Sequence, residues 1–230
     1  MADRILAAHQ PNYLPWLGYL SKVGQADVFV VADDVQYTKQ GFVNRNRVRT
    51  CDGWQWMTVP VRSRGRSGQS IRDVELDNAQ AWARKNSNTF EWNYSAAPFF
   101  DDHMPFLRDV FAAAPERLLE LNLRLLSYLL EQLAIDTEIR LSSELPLRPE
   151  RSQRLADMAL ACGCDVYLAG DGGSRQYLDE AVLGAAGVEV RYATFQHPHY
   201  RQCFPGFEAN MCGFDLLFNC GPRSREVLFP

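Results

Sequence analysis

Residues 4–34 read RILAAHQPNYLPWLGYLSKVGQADVFVVADD and contain two apolar runs on either side of a segment with helical spacing. The second run is continuous, as is typical of strands buried on both faces. Between the runs, apolar side chains recur at helical intervals, with Pro15 placed for the first turn and Gly24 for the end of the helix. This segment is therefore predicted as strand, loop, helix and parallel strand.

The rest of the chain continues the alternation of strands and helices. Residues 35–78 are predicted to be extended around 46–49 and 55–62, and residues from about 79 to 134 to form a mainly helical insertion. Further strands are predicted at 135–141, 164–170 and 188–195, with helices between them. This alternation predicts a single α/β domain over residues 1–230, with a three-layer parallel sheet and right-handed crossovers.

The composition is that of a globular protein. The 230 residues are 47% hydrophobic and 23% charged, with a net charge of −4, which argues against non-specific binding of nucleic acid. No stretch approaches the roughly 18 apolar residues of a membrane helix, so we expect a cytoplasmic protein with no membrane partner. The six cysteines match no zinc motif and are expected to be small buried thiols.

One basic cluster departs from this acidic balance. Its members are Arg45, Arg47, Arg49, Arg62, Arg64 and Arg66. Guanidinium groups bind phosphates and carboxylates in a bidentate geometry. We therefore interpret the cluster either as a dock for such anions or as a solvated loop.

Ligands of parallel α/β sheets bind beyond the carboxyl ends of the strands. Three polar segments are predicted at that edge: HQPNYLPW at 9–16, DDVQYTKQGFVNRN at 33–46 and GDGGSRQYL at 170–178. We expect them to converge on one pocket, with the first segment as its wall.

The first segment places hydrogen-bonding and aromatic groups beside two prolines. Pro11 and Pro15 restrict the backbone and would pre-organise the neighbouring side chains. Trp16 is assigned to substrate binding, with packing in the core as the alternative. His9 is the first choice for proton transfer, because an unperturbed imidazole titrates near neutral pH. The candidate catalytic residues of this segment are His9, Gln10, Asn12 and Tyr13.

Two adjacent aspartates follow the second predicted strand. Asp33 and Asp34 are candidates either to hold Mg²⁺ or to cap the next turn, and Asp34 is a candidate catalytic residue. In an extended segment, Asn44 and Asn46 would share one face and Arg45 and Arg47 the other. The candidate substrate-binding residues here are Gln36, Asn44, Arg45, Asn46 and Arg47.

The third segment is glycine-rich and precedes a predicted helix. Backbone amides at the start of a helix bind anions, and a purely structural turn is the alternative. Its candidate substrate-binding residues are Gly170, Asp171, Gly172, Gly173, Ser174 and Tyr177.

A further polar stretch follows the last predicted strand. Its candidate substrate-binding residues are His197, Tyr200 and Gln202. On a strand, His197 and His199 would face the same side and suit a metal, but no third ligand is evident. No metal site is therefore predicted.

The chain resembles the WbqC-like protein family over essentially its whole length. The resemblance is carried by AHQPNYLPWLGYLSKV, ADVFVVADDVQYTKQGFVNRNRV, GWQWMTVPV, YLAGDGGSRQYLD and HPHYRQCFPGF. The family is associated with bacterial gene clusters for O-antigen, other surface polysaccharides and natural products. The resemblance implies modification of a nucleotide-activated sugar, and attachment of an amino acid to an amino sugar is one such reaction.

The order of elements also resembles that of the HIGH superfamily of nucleotidyltransferases, which includes pantothenate synthetase. This likeness implies a HUP or Rossmann-like sheet. Residues 13–16 stand where those enzymes have His-x-Gly-His, and residues 172–178 correspond to their later phosphate loop. Tyr13 and Trp16 do not provide the imidazole contacts to ATP phosphates, which puts adenylation in doubt.

We derive three functional hypotheses from the sequence and these resemblances. The first is an enzyme that joins an acyl or aminoacyl group to an amine of a nucleotide sugar or similar small molecule, as a transferase or as a ligase using ATP and Mg²⁺. In the second, aminoacyl-tRNA or a carrier protein supplies the acyl group, docks on the arginine cluster and makes ATP unnecessary. The third is a non-catalytic protein that binds a sugar nucleotide or a biosynthetic partner.

Overall fold

The computed structural model describes residues 3–170, 172 and 178–230. Contacts between Cα atoms divide the chain into two compact units, each assembled from three segments. We call Met1–Gln10, Ser21–Asp34 and Ile135–Gln196 the sheet unit. We call Pro11–Leu20, Val35–Ala134 and His197–Pro230 the helical unit. The expectation of a single domain stays a prediction.

The described secondary structure alternates much as the sequence predicts. In chain order, the strands are β1 (Ile5–His9), β2 (Val28–Val31), β3 (Arg45–Thr50), β4 (Gly53–Thr58), β5 (Glu138–Leu141), β6 (Val166–Ala169) and β7 (Glu189–Tyr192). The helices are α1 (Leu17–Gly24), α2 (Trp82–Tyr94), α3 (Phe100–Ala113), α4 (Leu118–Gln132), α5 (Arg151–Ala161), α6 (Glu180–Ala185), α7 (Gly213–Cys220) and α8 (Ser224–Leu228). Short 3₁₀ turns lie at Ile71–Asp73, Ser142–Glu144 and Gly221–Arg223.

A five-stranded parallel sheet forms the centre of the sheet unit, in the order β5-β2-β1-β6-β7. From β1 the chain proceeds to β2 and β5 on one side, and it then returns to add β6 and β7 on the other. All four residues of β2 and of β6 are buried, as expected for inner strands of a parallel sheet. The predicted α/β fold with a parallel sheet is confirmed.

One face of this sheet packs against α5 and α6. Leu6 and Val30 belong to a buried cluster with Met158 of α5 and Leu183 of α6. Burial of such side chains is worth about 1.5–3 kcal/mol each. This packing fixes the strands whose carboxyl ends form the candidate site.

The helical unit contains the helices predicted between residues 79 and 134. Its core is rich in aromatic side chains, and the ring centroid of Phe90 lies 5.7 Å from that of Tyr94 and 5.7 Å from that of Phe218. The extended segments predicted around 46–49 and 55–62 form the antiparallel hairpin of β3 and β4, which ends at Thr58.

Local predictions failed at two element boundaries. Pro15 does not occupy the first turn of α1, because its carbonyl accepts a hydrogen bond from Gly213 (2.7 Å) and Trp16 bridges Cys212, which keeps the chain extended up to Leu17. The strand predicted at 188–195 ends at Tyr192, so residues 197–199 lie outside it.

Candidate functional site

The carboxyl edge of the sheet unit contains a topological switch point. The chain order reverses between β1 and β6, and ligands of open α/β sheets bind at such a reversal. The register pairs Ala7 with Leu168, and continuing it by two residues places His9 beside Gly170. Both positions were candidates from the sequence, and the sheet brings them together.

His9 is the last residue of β1 and is held as a neutral imidazole. Its Nδ1 lies 2.9 Å from the carbonyl oxygen of Gln10, so Nδ1 carries the proton it donates, and Nε2 carries the lone pair. Although the residue is exposed, desolvation and then the charge of Lys22 lower the pKa of His9 to about 4. The pKa of His9 thus lies below the near-neutral value on which its predicted role in proton transfer was based, and that role stays a prediction.

Lys22 is a candidate that the sequence analysis missed. Its side chain is buried, and Nζ donates one hydrogen bond to the Ala8 carbonyl oxygen (3.0 Å). Among the described residues, no carboxylate lies within 4.0 Å of Nζ. Desolvation lowers the pKa of Lys22 to about 8. The sequence held a signal for a buried lysine. Lys22 follows Leu20 and Ser21 and precedes Val23, and the structure buries all three of these neighbours.

The aspartate pair after β2 is occupied by hydrogen bonds. Asp33 accepts from Ser142 Oγ (3.1 Å), Ser143 N (3.0 Å) and Ser143 Oγ (2.7 Å), and so caps the 3₁₀ turn that follows β5. Asp34 accepts from Arg154 Nη2 (2.6 Å) and from Ser142. This capped turn is not the one predicted, because the sequence offered either Mg²⁺ or a cap of the turn directly after the aspartates.

The ionisation of Asp34 follows from the same contacts. Desolvation opposes the charged form, but hydrogen bonds from Ser142 and Arg154, together with the charge of Arg154, outweigh it and lower the pKa of Asp34. Within the described part of the chain, no three His, Cys, Asp or Glu side chains cluster as metal ligands would. Asp34 is therefore an ionised partner of Arg154.

Of the glycine-rich segment, Gly170 and Gly172 are described. Gly170 is half-buried directly after β6, whereas Gly172 is exposed. A Cβ atom at Gly172 would meet no atom of the described residues within 4 Å, so packing does not require glycine there. The other candidates of this segment, Asp171, Gly173, Ser174 and Tyr177, lie outside the described residues.

In the helical unit, the Tyr13 segment is held by buried asparagines. Asn46 Nδ2 donates to the carbonyl oxygens of Tyr13 (3.2 Å) and Leu14 (2.7 Å), and Asn86 Nδ2 donates to the Tyr13 hydroxyl (2.8 Å). Asn44 Nδ2 donates to the Val59 carbonyl oxygen (2.9 Å). These contacts hold the backbone at residues 13, 14 and 59, and the catalytic and binding roles predicted for Tyr13, Asn44 and Asn46 stay predictions.

The remaining candidates of the first two segments differ in exposure. Asn12 is buried, Gln10 and Trp16 are half-buried, and Gln36 is exposed and bridges Ser70.

The predicted alternation of β3 is confirmed, because Asn46 is buried while Arg45 and Arg47 lie on the other face over tryptophan rings. Arg45 and Arg47 therefore belong to a strand, and the solvated-loop interpretation is wrong for them.

The C-terminal candidates surround a buried carboxylate that the sequence analysis missed. Asp215 accepts from the hydroxyls of Tyr94 (2.9 Å) and Tyr200 (2.7 Å) and from Gln202 Nε2 (2.9 Å). Burial raises the pKa of Asp215, and these donors oppose that rise. An aspartate inside the apolar run of α7 was the available signal. Tyr200 and Gln202 are therefore parts of a buried network.

His197 is oriented by the loop in which it lies. Its Nδ1 lies 2.8 Å from the Pro198 carbonyl oxygen, and its Nε2 accepts from the Asn210 amide (2.9 Å). The expectation that His197 and His199 share one face of a strand is wrong. The shared pocket predicted for the candidates of the sheet unit and the helical unit stays a prediction.

These features define an α/β protein with a candidate ligand site at the carboxyl edge of a parallel sheet. A family model described as WbqC-like protein family matches residues 10–227, and the chain belongs to this family. It is similar to "Uncharacterized protein Rv1507c" of Mycobacterium tuberculosis (strain ATCC 25618 / H37Rv), with 35% identity over 225 residues that cover 97% of this chain and 96% of that protein. No solved structure matches. None of the helices in the described ranges has the length and apolarity to cross a membrane.

Proposed function

We propose that this WbqC-like protein is an enzyme of surface-polysaccharide or natural-product biosynthesis. It joins an acyl or aminoacyl group to the amine of a nucleotide sugar or a similar small molecule. Its site is the carboxyl edge of the sheet unit, around His9 and Lys22. The relation of the sheet to the HUP fold and a role in O-antigen biosynthesis are also parts of this proposal.

The burial of Lys22 without a carboxylate partner is the observation that carries the proposal. A buried ammonium is costly unless it is paired, and Lys22 has one hydrogen bond to the described residues. With a pKa of about 8, most of the side chain is still protonated at pH 7. An anionic substrate group, such as a phosphate or a carboxylate, would supply the missing partner.

His9 and Lys22 divide the chemistry between a base and a cation. The amine attacks the acyl carbonyl carbon, a C–N bond forms, and the leaving group departs with its electron pair. Nε2 of neutral His9 accepts the proton that the attacking nitrogen loses. The ammonium of Lys22 stabilises negative charge that develops on the acyl oxygen.

The residues proposed for Mg²⁺ do not fit that role well. The Asp33 carboxylate is capped by two serines, and Asp34 is paired with Arg154. Mg²⁺ needs oxygen ligands free to complete an octahedral shell. We therefore derive no step through Mg²⁺ or ATP and favour a donor that arrives already activated, on a carrier protein, on tRNA or as a small thioester or ester.

Non-catalytic binding is the second candidate, and the low pKa of His9 is the observation in its favour. A base with a pKa of about 4 is weak near pH 7. The His9→Gln variant separates the two candidates. The enzyme loses turnover while its affinity changes little, whereas a binding protein shows no turnover in any form.

A thermal-shift screen with UDP-, dTDP- and ADP-sugars tests the site. A ligand at about 100 times its Kd adds about 2.7 kcal/mol of stability. We expect this shift in the wild type and in Lys39→Met, a control at an exposed lysine, but not in Lys22→Met. Equal shifts in Lys22→Met would refute the role of Lys22. Mass-spectrometric detection of an amide product, with and without ATP, then tests the reaction.

A further inference from the structure

The β3–β4 hairpin and the turn before β3 expose three large aromatic side chains that lie close together. Phe42 is 43% exposed, Trp54 39% and Trp56 37%. The ring centroids of Phe42 and Trp56 lie 5.8 Å apart, and those of Trp54 and Trp56 lie 5.6 Å apart. Contiguous exposed apolar surface of this kind marks interaction sites more often than scattered single residues do.

Two arginines on the same face interleave with these rings. Cross-strand pairing sets Arg47 opposite Trp56 and Arg45 opposite Thr58, and paired residues share a face. The guanidinium of Arg45 lies 4.3 Å from the Trp56 ring centroid, and that of Arg47 lies 4.1 Å from the Trp54 ring centroid. Arg45 also donates a hydrogen bond to the Gln40 carbonyl oxygen, but neither arginine forms an ion pair with a described residue, so no described carboxylate neutralises either charge.

The face continues onto α2. Trp54, Trp56 and Thr58 alternate along one side of β4 over about 13 Å. Thr58 also lines a concavity of about 510 Å³ together with Arg84, Lys85 and Trp92 of α2. Trp92 is 77% exposed. We call the set Phe42, Arg45, Arg47, Trp54, Trp56, Thr58, Arg84, Lys85 and Trp92 the Arg–Trp track.

The composition of the Arg–Trp track matches one ligand chemistry. Phe42, Trp92 and the parts of the Trp54 and Trp56 rings that the guanidinium groups leave exposed offer stacking surfaces. The four cations of the track suit a chain of phosphates. The hairpin part is open, whereas sites for small molecules enclose most of the ligand. Duplex bases are stacked inside their helix and do not present their faces to a protein. We infer that the Arg–Trp track binds single-stranded nucleic acid.

This inference goes beyond the proposed function, because it concerns other residues and can hold when that function fails. The net charge of −4 restricts such binding to the track, because the protein as a whole repels a polyanion. If the inference and the proposed function are both correct, the single-stranded end of an RNA would carry the activated acyl group to this protein.

Fluorescence anisotropy with a labelled 12-nucleotide RNA tests the inference on the full-length protein. We expect saturable binding at low salt, and Trp56→Ala should weaken it by about 5- to 150-fold, the range for loss of one stacked base. Arg45→Gln/Arg47→Gln should reduce the magnitude of the slope of log K against log salt by roughly 1.4. The matched control is Arg124→Gln/Arg223→Gln, which removes two exposed arginines outside the track and should leave affinity and slope close to wild type.

Circular dichroism confirms that each variant is folded, and Trp92→Ala supplies a second stacking variant on another element. Absence of RNA binding would overturn the inference, as would equal losses in the control pair or equal affinity for a duplex of the same length. Two further results would assign the track to another occupant. One is salt-independent binding of a neutral oligosaccharide, and the other is a dimer that dissociates when Trp56 is replaced.

Discussion

Replacing Lys22 by methionine should stabilise the protein at pH 7. Methionine keeps an unbranched stem of similar length and removes the ammonium. Burial lowers the pKa of Lys22 from 10.5 to about 8, which corresponds to a cost of about 3 kcal/mol for the charged form. Removing the ammonium relieves this cost, but it also removes the hydrogen bond to the Ala8 carbonyl oxygen, which lowers the stability by about 1 kcal/mol. The net expectation is a gain of about 2 kcal/mol, or roughly 4–8 °C in Tm.

The gain should vanish as pH rises. Because the folded pKa of Lys22 lies below the unfolded value, the unfolded state binds more protons between pH 8 and 10.5, and wild-type stability rises with pH in that window. At pH 9.5 the cost of the wild-type lysine falls to about 1 kcal/mol, which the lost hydrogen bond cancels.

Urea unfolding of wild type and Lys22→Met at pH 7 and pH 9.5 measures this difference. Lys39→Met, at an exposed lysine, should change stability by less than about 0.5 kcal/mol at both values. A loss of stability in Lys22→Met at pH 7, or a difference that is the same at both pH values, would show that the ammonium is already compensated. The anion-site argument would then fail.

Three further changes test the packing of the helical unit, each by urea unfolding. Asp215→Ala leaves two tyrosine hydroxyls and a glutamine amide without their buried acceptor and should cost about 3–5 kcal/mol; a loss below 1 kcal/mol would mean that water replaces the carboxylate. Asn46→Ala removes the donor to two buried carbonyl oxygens and should cost about 1–3 kcal/mol, whereas Asn88→Ala, on the Arg–Trp track side of α2, should have little effect. Gly221→Ala should destabilise strongly, because its φ is +52° and the new Cβ would lie 2.4 Å from the Phe99 ring; an unchanged urea midpoint would contradict this geometry.

The sequence sufficed for the elements whose pattern is local. The apolar runs of β1 and β2 and the helical spacing of α1 are contained in residues 4–34, and each was predicted in the right place. The order of the strands was not predictable in this way, because it depends on packing between distant segments. Helix α7 was missed because all of its residues except Asn219 are buried, and a helix without an exposed polar face lacks the periodic contrast that periodicity analysis requires.

The candidate site shows the same limit. The position of His9 at a strand end followed from the motif, but its low pKa depends first on desolvation and then on the charge of Lys22, thirteen residues away in the chain. For Asp33 and Asp34, the sequence left open a choice between holding Mg²⁺ and capping the next turn. Their partners Ser142 and Ser143 lie about 110 residues further on, so no spacing rule would have made that choice.

A comparison of two buried cations shows why Lys22 indicates a ligand site and Arg49 does not. Arg49 Nη1 donates to the carbonyl oxygens of Thr50 (2.6 Å) and Gly53 (2.7 Å), and Nη2 donates to that of Pro205 (2.6 Å). Backbone oxygens thus replace the water that this guanidinium loses, and only its Nε lacks an acceptor among the described residues. Lys22 has three N–H donors and one such oxygen. Backbone carbonyl oxygens therefore offset the desolvation of Arg49. The ammonium of Lys22, in contrast, needs acceptors that the described residues of the sheet unit do not supply.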